Sequence, residues 1–99
     1  MLLYIPNVIA NTTENSTGPV EISGASTVTV FLKNQGLFPV IWWLEISPNG
    51  EDFLRENIQT STNPGCLQRL ILSTPAPFLR VKYKTEFCQT SFDLWIYYF

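Results

Sequence analysis

"TVTVFLK", residues 27–33, is the stretch on which the fold turns. Val28, Val30 and Leu32 fall on one side of an extended chain and Thr27, Thr29 and Lys33 on the other. That period-two alternation is the mark of a strand with one buried face. Phe31 is the lone misfit, an aromatic ring on the polar side. No part of the chain places apolar residues at i, i+3, i+4 and i+7 together with caps, so helix is not expected.

Working outward, the same extended pattern recurs between turns. "NQGLFP" turns the chain into Val40–Ile46, rich in β-branched and aromatic residues. "SPNGED" has Pro, Asn and Gly in the order of a tight turn and predicts a hairpin there. Residues 53–61 read as a weak or edge strand, guarded by Arg55 and Glu56. "TNPG" ends it, and Cys66–Leu72, Phe78–Lys84 and Ser91–Phe99 supply further strands. In the last, Phe92, Leu94, Ile96 and Tyr98 alternate with Asp93, Trp95, Tyr97 and Phe99, so both faces become apolar toward the end. Short strands spaced by turn signals predict an all-β fold, an antiparallel β-sandwich of jelly-roll or immunoglobulin-like type.

A chain of 99 residues makes a single modest core, and 45% hydrophobic against 14% charged residues argues for a filled interior. A net charge of −2 leaves no basic surplus for a phosphate backbone, which sets nucleic acid aside as a partner. No apolar run reaches the length of a membrane-crossing helix, and the first basic residue is Lys33, so neither a membrane span nor a secretory leader is expected. The chain has no histidine, which removes Ser-His-Asp and Cys-His chemistry and the nitrogen ligands of a zinc site. The acids Glu45, Glu51, Asp52, Glu56, Glu86 and Asp93 fall mostly in turns. No enzyme, metal or cofactor is expected.

Four groups of residues remain as candidates. Trp42 and Trp43 are adjacent on a strand and point to opposite faces, so one belongs to the core. The other, Trp43, is either a ring for stacking on a sugar or partner, or a surface-layer tryptophan covered by a loop. Arg80, Lys82 and Lys84 line one strand face, either as a receptor for an anionic ligand or as a solvated face. Cys66 and Cys88 come to one end if the strands flanking "STPAP" form a hairpin centred near Pro75; a disulfide and free buried thiols are then equal alternatives.

The N-terminus is the fourth of these. Residues 1–10 are uncharged and mostly apolar, and residues 11–19 are nearly all polar or turn-forming. Strict alternation puts Leu2, Tyr4, Val8 and Ala10 on one face and Leu3, Ile5 and Ile9 on the other, so both faces call for burial. The chain then divides into a connector strand with a flexible spacer, residues 1–19, and a β-sandwich, residues 20–99. A strand the sandwich does not need is available for donation to another subunit. An ordinary first strand of the same sandwich is the plainer alternative.

The run "VEISGASTVTVFLKNQGLFPVIWWLEISPNGEDF", a "PG" turn, "APFLRVKY" and the aromatic final strand resemble small β-sandwich proteins of endospore-forming bacteria, among them the jelly-roll subunits of endospore appendage fibres. The resemblance implies a structural subunit that joins head to tail through its N-terminal segment. Carried over by position, the connector is Leu2, Leu3, Tyr4, Ile5, Val8 and Ile9, with residues 11–19 as spacer. No cysteine precedes Cys66, so linkage through the connector is non-covalent. The implied partner is the chain itself, with anchoring or tip proteins of a fibre, and the implied location is the extracellular spore surface, reached without export. The other expectation is a binding module for carbohydrate or a surface protein, using Trp43 or the Arg80, Lys82, Lys84 face.

Overall fold

The computed structural model describes residues 1–56, 59–73 and 76–99. Along the chain lie β1 (Leu2–Ala10), β2 (Asn15–Ser16), β3 (Val20–Glu21), β4 (Val28–Asn34), β5 (Val40–Ser47), β6 (Leu54–Arg55), β7 (Thr60–Thr62), β8 (Leu67–Leu72), β9 (Phe78–Lys84) and β10 (Thr90–Tyr98). The first sheet has the order β1-β10-β4-β8; the second runs from β2 and β3 through β9 and β5 to β6 and β7. β2 and β3 pair with the same neighbour, β9, and act as one interrupted strand, as do β6 and β7 along β5.

Counted that way, the first strand pairs with the last, the second with the second-last, the third with the third-last and the fourth with the fifth, all antiparallel. This is one long antiparallel ribbon rolled so that its rungs fall alternately into two facing sheets. It is a jelly roll, which decides between the two topologies the sequence leaves open.

The alternation read from residues 27–33 is what fills the interior. Val28, Val30 and Leu32 of β4 and Phe92, Leu94 and Ile96 of β10 join Val40, Trp42 and Leu44 of β5 and Leu79, Val81 and Tyr83 of β9 in one buried cluster. Each such side chain contributes roughly 1.5–3 kcal/mol relative to exposure. Trp42 keeps its hydrogen bond while buried, its Nε1–H donating to Thr62 Oγ1 at 2.9 Å.

Asn34 is the polar centre of the same interior. Its Nδ2 donates to the carbonyls of Phe38 (2.7 Å) and Thr62 (3.0 Å), and its Oδ1 accepts from Gly36 N–H (3.0 Å) and Thr90 Oγ1 (3.2 Å). One side chain thereby ties the β4–β5 turn to β7 and β10. A Cβ at Gly36 would lie 1.7 Å from Thr90 Oγ1 and 2.8 Å from the backbone N of Ser91, so only glycine fits that approach. The "SPNGED" turn forms as expected: Ser47 Oγ accepts from the N–H of Asn49 and Gly50, Asn49 Oδ1 accepts from those of Glu51 and Asp52, and Ile46 pairs with Leu54 beyond it.

Two expectations are corrected. The strands flanking "STPAP" do not pair as a hairpin: β8 pairs with β4 and β9 with β5, in different sheets. Alternation gives a strand its buried face and not its partner, and here, with β2–β3 and β6–β7 each counted as one strand, the chain crosses to the other sheet between every two successive strands except at the central β5–β6 hairpin. Pro75, the centre of the expected turn, lies outside the described residues, as do residues 57 and 58 of the expected strand 53–61.

The second correction concerns the faces of β1. The strand pairs with β10 from Leu2↔Tyr97 to Ala10↔Thr90, with a register shift between Ile5 and Val8. There the chain carries one extra residue; Asn7 takes φ +54° and its N–H donates to Asp93 Oδ1 at 2.9 Å. Such a bulge reverses the phase of alternation. Ile5, Val8 and Ala10 therefore share the inner face, packed on or within the core, and Leu2, Tyr4 and Ile9 lie exposed. In this structure β1 is the edge strand of its own first sheet. Residues 11–19 run along β9, with Thr85 N–H donating to Asn11 O, Thr17 N–H to Val81 O and Val81 N–H to Thr17 Oγ1.

Candidate functional site

The outward side chains of the first sheet form rows set by strand register. Tyr4, Trp95, Phe31 and Arg69 make one row across β1, β10, β4 and β8. Leu2, Tyr97, Thr29 and Ile71 make the next, and Asp93, Lys33 and Leu67 lie on the other side. Tyr4 stacks on Trp95 with ring centroids 5.1 Å apart, and Tyr97 meets Phe99 edge to face at 4.6 Å. Phe31, the misfit of the opening stretch, sits beside Trp95 and belongs to this cluster. The face remains open: Leu2 is 55% exposed, Tyr4 48%, Ile71 48%, Tyr97 40% and Phe99 63%. Single exposed apolar residues are ordinary, and it is the contiguity of this aromatic and aliphatic face that makes it the candidate site.

The outer face of the second sheet is covered. Trp43 is only 1% exposed, which corrects its reading as a stacking ring and leaves the covered alternative. The Arg55 guanidinium lies 4.2 Å over its ring and its Nε1–H donates to Glu45 Oε2 at 3.0 Å. Arg80 pairs with Glu45 at 2.7 Å and stacks 3.9 Å over Phe53, and Lys82 pairs with Glu14 at 2.9 Å. Two cations of the expected basic ladder are thus already paired; Lys84 lies across from Ile41. Cys66 and Cys88 are both exposed and free, so the structure does not bring them together as a disulfide. A cavity of about 230 Å³ lies beside Ile41, walled by Pro39, Gln59, Thr60, Ser61, Glu86 and Phe87, and of the residues weighed from the sequence only Glu86 lines it.

Glu45 holds this covered face together. Burial disfavours its charge, but the hydrogen bond from Trp43, then the hydrogen bond and charge of Arg80, with Lys82 behind them, outweigh that and hold its pKa below the ordinary glutamate range. A depressed carboxylate contributes stability that is complete above its unfolded pKa and is lost as pH falls through the folded one. Glu45→Gln is therefore expected to melt lower than wild type near neutrality and to approach it below pH of about 4. Thermal melts of both proteins across that range check this; parallel curves would deny the ion pair its part.

The arrangement defines a jelly-roll module with one sheet face occupied by ion pairs and cation–aromatic contacts of its own side chains and the other left mainly apolar and open. Residues 21–99 match the family described as a domain of unknown function, DUF6385, and the chain belongs to that family. The family match begins at Glu21, so β1 and β2 lie before it. No curated protein sequence matches. Among solved structures, the PBSX exported protein XepA is similar with a TM-score of 0.79 at 14% identity; the match covers 99% of this chain and 36% of XepA, so the chain spans about a third of that protein. PirA is similar with a TM-score of 0.63 at 10% identity, covering 94% of this chain and 91% of PirA. At these identities the likeness is one of fold.

The surface that sequence reasoning misses is the outer face of the first sheet. Its signals are in the sequence: Phe31 out of phase in β4, and Trp95, Tyr97 and Phe99 opposite the inward residues of β10. The bulge at Asn7, which adds Leu2 and Tyr4 to it, has no comparable signal beyond Pro6-Asn7 itself.

Proposed function

We propose that the protein works by association and carries out no chemistry of its own: it is a structural jelly-roll subunit of an extracellular bacterial assembly, of the kind its resemblance to endospore appendage subunits implies. The observation that supports this most is the open face built from Tyr4, Trp95, Phe31, Tyr97 and Ile71, an apolar surface of a sort that isolated monomers rarely keep. The test is whether Trp95 becomes shielded from solvent as the protein is concentrated.

A specific mode of joining, exchange of β1 between copies to build a head-to-tail fibre, is favoured by one further observation. β1 is an edge strand in which only Ala10 is fully buried, and its backbone pairs with β10 alone, so its seat is one that a second copy's strand can take. A copy that takes β1 from its neighbour would satisfy the same β10 register. Donated head to tail and not reciprocally, such a strand makes a heterologous contact that does not close, which builds fibres. The reading as a carbohydrate-binding module has less support: Trp43 is covered, and Tyr4 and Trp95 turn ring faces toward each other and not outward to a sugar.

A further inference from the structure

We infer that the open face of the first sheet pairs with the same face of a second copy of this chain, related by a two-fold axis that runs along the strands between β10 and β4. The inference rests on the association reading and adds the partner and its register. Sheets stack face to face about 10 Å apart with strand directions nearly aligned, so an axis of this kind is a geometry that sheet packing already favours.

Under that axis each outward residue meets the residue at the mirrored strand and the same row. β10 lies over β4 of the second copy and β1 over β8. Trp95 then faces Phe31 of the second copy, and Leu2 faces Ile71. Tyr4 faces Arg69, which sets a guanidinium against an aromatic ring. In the third row Asp93 faces Lys33, and by symmetry Lys33 faces Asp93, so the charged row is complementary to itself. Every contact occurs twice, as a two-fold interface requires.

Size supports the same occupant. The exposed parts of Leu2, Tyr4, Ile71, Tyr97 and Phe99, with the half-buried Trp95 and Phe31 between them, lie at the ~600 Å² upper end of the largest patch on a typical monomer, and Arg69, Thr29, Lys33 and Asp93 around them extend it toward the ~800 Å² per partner of a standard interface. The polar groups of the two rows, the Arg69 guanidinium, the Thr29 hydroxyl and the hydroxyls of Tyr4 and Tyr97, are spread across four strands around the apolar side chains. A flat, apolar surface with a self-complementary charged border fits its own copy.

Sedimentation equilibrium of the full chain and three variants tests this, with thermal melts to confirm folding. Ile71→Lys, on the exposed side of edge strand β8, places a cation against Leu2 of the second copy and is expected to weaken pairing by about tenfold or more with little change in melting. Lys33→Glu sets like charges across the interface and is expected to weaken it by about tenfold, while Lys33→Glu with Asp93→Lys reverses both charges and restores pairing to within about threefold of wild type. If Ile71→Lys blocks pairing but the double reversal gives no recovery, the two-fold register is wrong. Assemblies that form and ignore all three variants would overturn the inference and leave association through another surface standing. A wild-type chain that stays monomeric, with Trp95 equally accessible at every concentration, would overturn both.

Discussion

Removal of residues 1–10 is expected to leave a chain that no longer folds stably alone and that folds again when a peptide of those residues is added. β1 closes the edge of the first sheet along β10 from Leu2 to Ala10 and supplies Ile5, Val8 and Ala10 to the interior side. Without it the first sheet keeps β10, β4 and β8, and Phe92 and Leu94 lose their cover at the edge. The lost side-chain burial alone is roughly 1–3 kcal/mol per large residue, and the paired backbone adds to it, against a total stability of about 5–15 kcal/mol for a domain. Circular dichroism melts of the truncated chain with and without peptide read the effect directly. A truncated chain that melts like wild type would show that residues 11–99 fold without β1, as the connector arrangement supposes. Recovery with the peptide would show that β10 accepts this strand from outside its own chain, the step that fibre formation by exchange requires.

Asn34→Leu is expected to lower stability by about 3–5 kcal/mol, among the largest effects of any single substitution here. The leucine fills the space but leaves the carbonyls of Phe38 and Thr62, the Gly36 N–H and the Thr90 hydroxyl without the partner that Asn34 provides. Buried groups stripped of a hydrogen bond cost about 1–3 kcal/mol each, partly relieved where the turn can shift toward water. For a domain of this size each kcal/mol moves the melting temperature by about 4–8 °C, so a fall of more than about 12 °C is expected. A denaturation midpoint within error of wild type would mean that the network does not hold the β4–β5 turn to β7 and β10.

The strands were legible because their side chains alternate. Residues 27–33 and 78–84 show a buried face by alternation, residues 40–46 read as a strand from their β-branched and aromatic content, and the structure places strands there to within a residue or so. What alternation does not carry is which strand lies beside which. The "STPAP" segment separates two good strands, and only the rolled topology sends one to each sheet. Phase was the other loss. One extra residue at the Pro6-Asn7 bulge is enough to move Leu2 and Tyr4 outward and Val8 and Ala10 inward, and with it the case for a strand apolar on both faces changes. Trp43 misled for a related reason: its place on the outer side of β5 is readable, but the Arg55 guanidinium that covers it comes from β6, a contact no local pattern announces. The open face was half legible, in Phe31 and in the aromatic end of β10. Its extent needed the register of four strands.

Fluorescence quenching at Trp95 tests the central claim most directly. Trp42 and Trp43 are buried, at 0% and 1% exposure, so Trp95 is the tryptophan that a small neutral quencher such as acrylamide reaches in the folded chain. If the outer face of the first sheet is an association surface, quenching falls as the protein is concentrated from the low micromolar into the hundreds of micromolar, and Ile71→Lys keeps it high throughout. Quenching that stays constant over that range in the wild-type protein would contradict the account.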